Sequence, residues 1–368
     1  MDKFYTPLRS LLSLFLILFS LNVHAADYFW IGGSGTWSDL NHWSTSSGGS
    51  TLHSSLPGET DNVIFDANSF SADGQTVTVD GNIIRVNDFI ATNVSYNINF
   101  SGDSPIPDIE IYGSIDAPAN ISFELPSVLL DFNSNVDGQT VNIASGLLNT
   151  SQDASIRFSG EGSWSIENGL SGHSLFVTQG DVIFGANTFN FKNVYLWYSF
   201  DKILNLTDAT LNIEKWTMNN ADFVTVIPTN STINFSDEFQ GFGKTYGTVN
   251  VTTPTGFAND IEISGNNTFQ NFTVIQGANL LVDANTTQTI LGNLTFNGTS
   301  SEVITFESSI EGQKFNFDGT GINISGEYVN VSDADFLGSA TFSLENSLIL
   351  DDSQGWQINS VPTPTGNG

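Results

Sequence analysis

Short runs in which apolar and polar residues alternate recur along nearly the whole chain. Residues 76–80 read TVTVD, 95–102 SYNINFSG, 209–216 ATLNIEKW, 293–298 NLTFNG and 327–333 EYVNVSD. Alternation of period two puts successive side chains on opposite faces of a strand, one buried and one wet. The buried positions carry Val, Ile, Leu and Phe, and Gly, Asn and Asp separate the runs as turn residues. Beyond residue 25 no stretch sustains helical spacing with good helix formers. The pattern predicts an all-β chain.

The runs also resemble one another. VIFDANSF at 63–70 recurs as VIFGANTF at 182–189, and DGQTV at 73–77 recurs at 137–141. INFSG ending at Gly102 returns as IRFSG ending at Gly160 and INFSD ending at Asp237. GANTFNFKNV at 185–194 returns as GNNTFQNFTV at 265–274. Imperfect repeats of short strands with variable loops indicate stacked coils, each burying its inward face against its neighbours. An array of β-sandwiches needs linkers that the sequence lacks before its last ten residues. The expected fold is therefore a right-handed parallel β-helix of about a dozen coils, spaced at the strand separation of roughly 4.8 Å.

A solenoid exposes an apolar cross-section at each end and needs an atypical cap there. YFWIGGSGTWSDLNHWSTSSGG, at 28–49, holds Trp30, Trp37 and Trp43 among glycines and small polar residues. Two roles fit: indoles stacked on a sugar or other apolar ligand face, or an aromatic-rich N-terminal cap over the first coil. Burial is the commoner fate of tryptophan, so the cap is the expectation. Trp356, in DDSQGWQI, is placed to close the other end.

The first 25 residues stand apart. Lys3 and Arg9 precede LLSLFLILFSLNV, and VHA then offers a cleavage site after Ala25, the pattern of an export signal. The apolar run is too short for a good membrane span, and no later run approaches that length. The expected organisation is 1–25 signal peptide, 26–62 Trp/Gly-rich cap, 63–358 β-helix, and 359–368 disordered tail or start of a linker. The product is expected outside the cell or on its outer surface, as a monomer or part of a longer assembly.

Charge narrows the partners. The 368 residues carry 9 Lys+Arg against 39 Asp+Glu, a net charge of −30. That field repels nucleic acid and anionic polysaccharide and leaves neutral glycans or divalent cations. There is no cysteine, so thiolate metal sites and cysteine nucleophiles are excluded.

At the opening tryptophans, and at LPGETDNVIFDANSF that follows them, the chain resembles repetitive secreted surface proteins of Gram-negative bacteria. Residues 267–309, then YVNVSDADF and the closing GW, resemble the β-helical repeats of the same proteins, which are described as adhesins. The resemblance implies a β-helix that binds an extracellular glycan or surface matrix.

Catalytic signals are sparse. A polysaccharide hydrolase needs two placed carboxylates, and a lyase needs a cation to hold the polymer's acid groups. Arg85, Arg157, Lys192, Lys202, Lys215, Lys244 and Lys314 are scattered, and His173 stands without a partner motif. No G-x-S-x-G elbow occurs, and Asp351–Asp352 reads as a turn. No catalytic residue is assigned, and an enzyme of the polysaccharide hydrolase or lyase class is the alternative reading. Asp333 and Asp335 are a candidate Ca²⁺ pair, the one cofactor the sequence suggests. Thr76 and Thr78 evoke a threonine ladder on a flat solenoid face, without an evident repeat in register. The discriminating observation is a lateral face of Asn, Thr and Ser for an adhesin, or a groove with converging acids and a cation for an enzyme.

Overall fold

The computed structural model describes residues 25–81, 83–102, 108–123, 129–143, 154–252 and 260–362. The expected leader lies outside them apart from Ala25. The described chain is a parallel β-solenoid of about 12 turns, with 54% of residues in strands. Its only helical turns among the described residues are two short ones, Leu40–His42 and Ala221–Phe223.

Each coil contributes up to three strands. The first face is a ten-stranded sheet that runs from Trp43–Ser44 to Val224–Ile227. All its pairings are parallel except the outermost, where Trp43–Ser44 lies antiparallel on Asp27–Trp30. The second and third faces merge because long strands turn the corner between them. Thr188–Leu196 pairs with Thr210–Asn212 through its first half and with Lys215–Met218 through its second. Later in the stack Phe315–Glu327 and Ala334–Glu345, which lie side by side, turn instead the corner between the first and second faces.

The strands form for the reason the alternation suggests. In Thr232–Phe235 (TINF) Ile233 and Phe235 are buried and the other two side chains are not. In register, inward side chains stack into columns: Phe189, Leu211, Ile233, Val249, Phe272, Leu294 and Ile324 follow one another coil by coil. All seven are fully buried. Each contributes about 1.5–3 kcal/mol of burial relative to exposure, so the columns carry the stability of a chain that has no cysteine for disulfides. Phe65 and Phe184, from the two VIF repeats, are likewise fully buried.

Coil length varies along the stack. Asn142 meets Asp116 26 residues earlier, Asn212 meets Asn190 22 earlier, and Asn250 meets Asn234 16 earlier. The turns absorb the difference. Gly180 has φ +78°, and a Cβ there would come within 2.5 Å of the Gly160 and Gly162 carbonyl oxygens, so only glycine fits this turn.

Both ends are closed. Trp30 and Trp43 are fully buried and Trp37 is 5% exposed. Trp43 packs edge-on to Trp30 and Trp37 with ring centroids 5.0 and 4.8 Å apart, and all three rest on Phe65 of the next coil. The Trp30 Nε1–H donates to the Gly33 carbonyl and the Trp43 Nε1–H to the Trp37 carbonyl, both at 2.8 Å. At the far end Trp356 donates to the Ala334 carbonyl and packs on Phe317 and Phe336. Beyond it Asn359 and Ser360 still hydrogen-bond to the last coil, at Leu344 and Asn346.

Candidate functional site

The outward side chains of the second face carry the most regular chemistry. Thr188, Thr210, Thr232, Thr248, Asn271, Asn293, Asn323 and Thr341 form one column. Asn190, Asn212, Asn234, Asn250, Thr273, Thr295, Ser325 and Ser343 form the next. The columns lie two residues apart on each strand, so both sets point away from the core. No charged residue interrupts either one.

The asparagines bind one another along the axis. Asn212 Nδ2 donates to Asn190 Oδ1 at 2.8 Å, Asn234 to Asn212 at 2.7 Å and Asn250 to Asn234 at 2.8 Å. An amide has two N–H donors and an oxygen with two lone pairs, and the ladder uses one of each. Each interior rung therefore holds its side chain in place and keeps a donor and an acceptor for solvent or ligand. The ordered array repeats at the coil spacing, about 4.8 Å. Thr76 and Thr78 belong to the start of this face, beside Asn99 and Ser101. The repeat in register is therefore T-x-N and N-x-T, not T-x-T, which is why a search for threonine pairs passes over it.

Compared with protein-family models, with curated proteins and with solved structures, the chain matches none. The resemblance to adhesins rests on the quoted sequence motifs alone, and the site is argued from geometry.

The scattered cations are mostly paired with acids on neighbouring coils. Arg85 meets Glu110 at 2.8 Å, Arg157 meets Asp131 at 2.6 Å, and Lys215 lies between Asp237 and Glu238. The Asp131 hydrogen bond outweighs burial and holds the Arg157 guanidinium above its ordinary value. Lys202 is different. It is 1% exposed, and its Nζ donates to the carbonyls of Tyr198 and Phe200. Burial pushes its ammonium below the usual lysine value, with nearby Asp201 opposing.

One cluster joins an acid to a lysine and a histidine. Gly172, His173, Asn190, Lys192, Asn212 and Glu214 line an open cleft of about 380 Å³ at the corner between the second and third faces. Lys192 Nζ lies 3.7 Å from a Glu214 carboxylate oxygen, and His173 Nδ1 lies 3.0 Å from the Ser174 hydroxyl. Neither the Lys192–Glu214 pairing nor the place of His173 beside it is visible in sequence, because each follows from the coil register.

The tryptophans named as a candidate ligand platform, Trp30, Trp37 and Trp43, are those buried in the N-terminal end. Asp333 and Asp335 lie at the last coils. Asp333 Oδ2 accepts from the Gly312 N–H at 2.8 Å, and Asp335 Oδ1 accepts from Lys314 Nζ at 3.0 Å and the Gln354 N–H at 2.7 Å. Among the described residues no group of three or more His, Asp or Glu side chains is gathered to hold a metal ion. Among them, too, no helix is long and apolar enough to cross a membrane.

Proposed function

We propose that the chain is a secreted or cell-surface, adhesin-like structural protein that binds a neutral glycan or matrix polymer along its lateral face. The observation that carries this reading is the two-column face of Thr, Asn and Ser, repeated coil after coil without a charge. A polymer with repeating hydroxyls offers donors and acceptors at intervals, and a rigid array meets many of them without ordering costs of its own. Each contact is weak, and repetition multiplies them. The net charge of −30 favours uncharged over acidic chains. The leader-like residues 1–25 and the motif resemblance support an extracellular, Gram-negative setting.

The test is a glycan array probed with the exported chain, followed by Asn234→Asp. Asn234 both donates to and accepts from neighbouring rungs. An acid there loses the donor and adds a charge. Loss of one or two hydrogen bonds costs about 1–2 kcal/mol, roughly a tenfold weakening. Absence of any uncharged glycan among the hits refutes the reading.

A second reading, a polysaccharide-cleaving enzyme, is favoured by the His173, Lys192 and Glu214 cleft. It predicts release of new reducing ends from an array hit, abolished by Glu214→Gln. Binding without release excludes it.

A further inference from the structure

The third face carries an outward column that breaks the polar pattern. Asp131, Arg157, Phe176, Tyr195 and Thr217 are successive outward positions. Phe176 and Tyr195 stack with centroids 4.9 Å apart and planes 22° apart. Trp197, two residues on, lies 4.4 Å from Tyr195 and meets Phe176 edge-on. None of the three is in the core. The chain then forms a loop that displays two more rings, Tyr198 at 54% and Phe200 at 53% exposure.

This loop is built at a cost. Tyr198 adopts φ +74°, a left-handed conformation that a bulky residue avoids and that clusters at functional sites. The buried Lys202 ammonium holds the loop by donating to the Tyr198 carbonyl at 3.1 Å and the Phe200 carbonyl at 2.7 Å. Phe242, at the matching corner two coils on, is also left-handed at φ +40°, but among the described residues only this loop is tied by a buried lysine. Beside the loop lies a cleft of about 180 Å³, lined by Arg157, Ser159, Thr178, Gln179, Tyr198 and Phe200. It is smaller than the roughly 300–1,000 Å³ of a drug-sized pocket and suits one ring of a longer chain. Arg157 Nε, buried, has no acceptor among the described residues.

We propose that Phe176, Tyr195, Trp197 and the Tyr198–Phe200 loop form an aromatic subsite that grips one pyranose unit of a neutral polysaccharide. The assignment deepens the glycan-binding reading and rests on it. Aromatic rings beside hydroxyl and amide groups match a sugar, which pairs an apolar C–H face with a polar rim. The one cation of the cleft is neutralised by Asp131, so an acidic sugar gains no free positive charge there. A second copy of the chain is disfavoured because each copy carries a net charge of −30.

The experiment titrates the full exported chain with uncharged oligosaccharides of glucose, mannose, xylose and N-acetylglucosamine. Tryptophan fluorescence and calorimetry are the readouts. Trp197→Ala is expected to weaken binding about tenfold at an unchanged melting temperature, with partial rescue by Trp197→Phe. Phe200→Ser, altering an exposed ring, gives the same test if Trp197→Ala does not fold. Unchanged affinity in both variants, with loss in Asn234→Asp, overturns the subsite and leaves the glycan reading standing. No binding by the unaltered chain overturns both. A dimer that dissociates in Trp197→Ala assigns the rings to self-association and likewise overturns the subsite.

Discussion

Replacing Trp43 by alanine tests whether the N-terminal end is held by its indoles. The side chain is fully buried and makes edge contacts with Trp30, Trp37 and Phe65. Truncating a buried aromatic to alanine costs about 3–5 kcal/mol through lost burial and the cavity left behind. Its Nε1–H is also the partner of the Trp37 carbonyl, which would be left unsatisfied beside the cavity. That puts the change at the top of the range, about 5 kcal/mol. In a solenoid each coil touches only its neighbours, so the loss should fall on the first coils and fade along the stack. Amide hydrogen exchange measures this directly. Peptides covering Asp27–Trp30 and Asn62–Phe65 should lose protection, and those covering Phe315–Glu327 should keep it. Light scattering should show slow association, because Trp43–Ser44 no longer shields the edge of the parallel sheet. Unchanged protection at residues 27–65, or an equal loss at every coil, would refute the reasoning.

Two further outcomes are expected. Burial alone would raise the Asp351 carboxyl, but hydrogen bonds from Ser353, Ser332 and the Asp333 N–H outweigh it and hold it down at about 2, against an ordinary 3.8. The unfolded chain takes up the proton first, so this contribution is complete above about pH 4 and is lost as the pH falls towards 2. Exchange at the last coil should accelerate on acidification through that window, and Asp351→Asn should already be fast at neutral pH. Second, chain recovered after export from a Gram-negative host should begin at Ala26 by mass spectrometry, whereas recovery with Met1 intact contradicts the leader.

The strand pattern and the coiled architecture were legible because alternation and repetition are both written in single residues. The faces were not. INFSG at Gly102 and INFSD at Asp237 lie on the second face, but IRFSG at Gly160 lies on the third. Similarly GANTF and GNNTF align Phe189 with Phe269, yet the register places Phe189 in the column of Phe272. An I-x-F run states which side chains turn inward and says nothing of which wall they line. The Thr/Asn face was present in sequence as TFN, TLN, TIN and TVN at 188, 210, 232 and 248. Its significance depends on unequal coil lengths bringing those triplets into line. The aromatic loop escaped for a different reason. Phe176 and Tyr195 sit in strands like any core aromatic, Trp197 follows directly after Leu196, and only the pleat tells outward from inward.

The hydrogen bonds between coils run along the long axis of the stack. A force applied between the two ends would load them one coil at a time, as a zipper is loaded, and not all together as in sheared strands. Each coil that opens in the middle of the stack frees 22 residues or so, and chain extends by at most about 3.6 Å per residue. One step therefore lengthens the molecule by roughly 70 Å. The remaining coils keep both their neighbours and their outward faces. A protein built this way, attached at one end and bound along its side, would yield under drag in discrete increments, and its grip would shorten coil by coil before it failed.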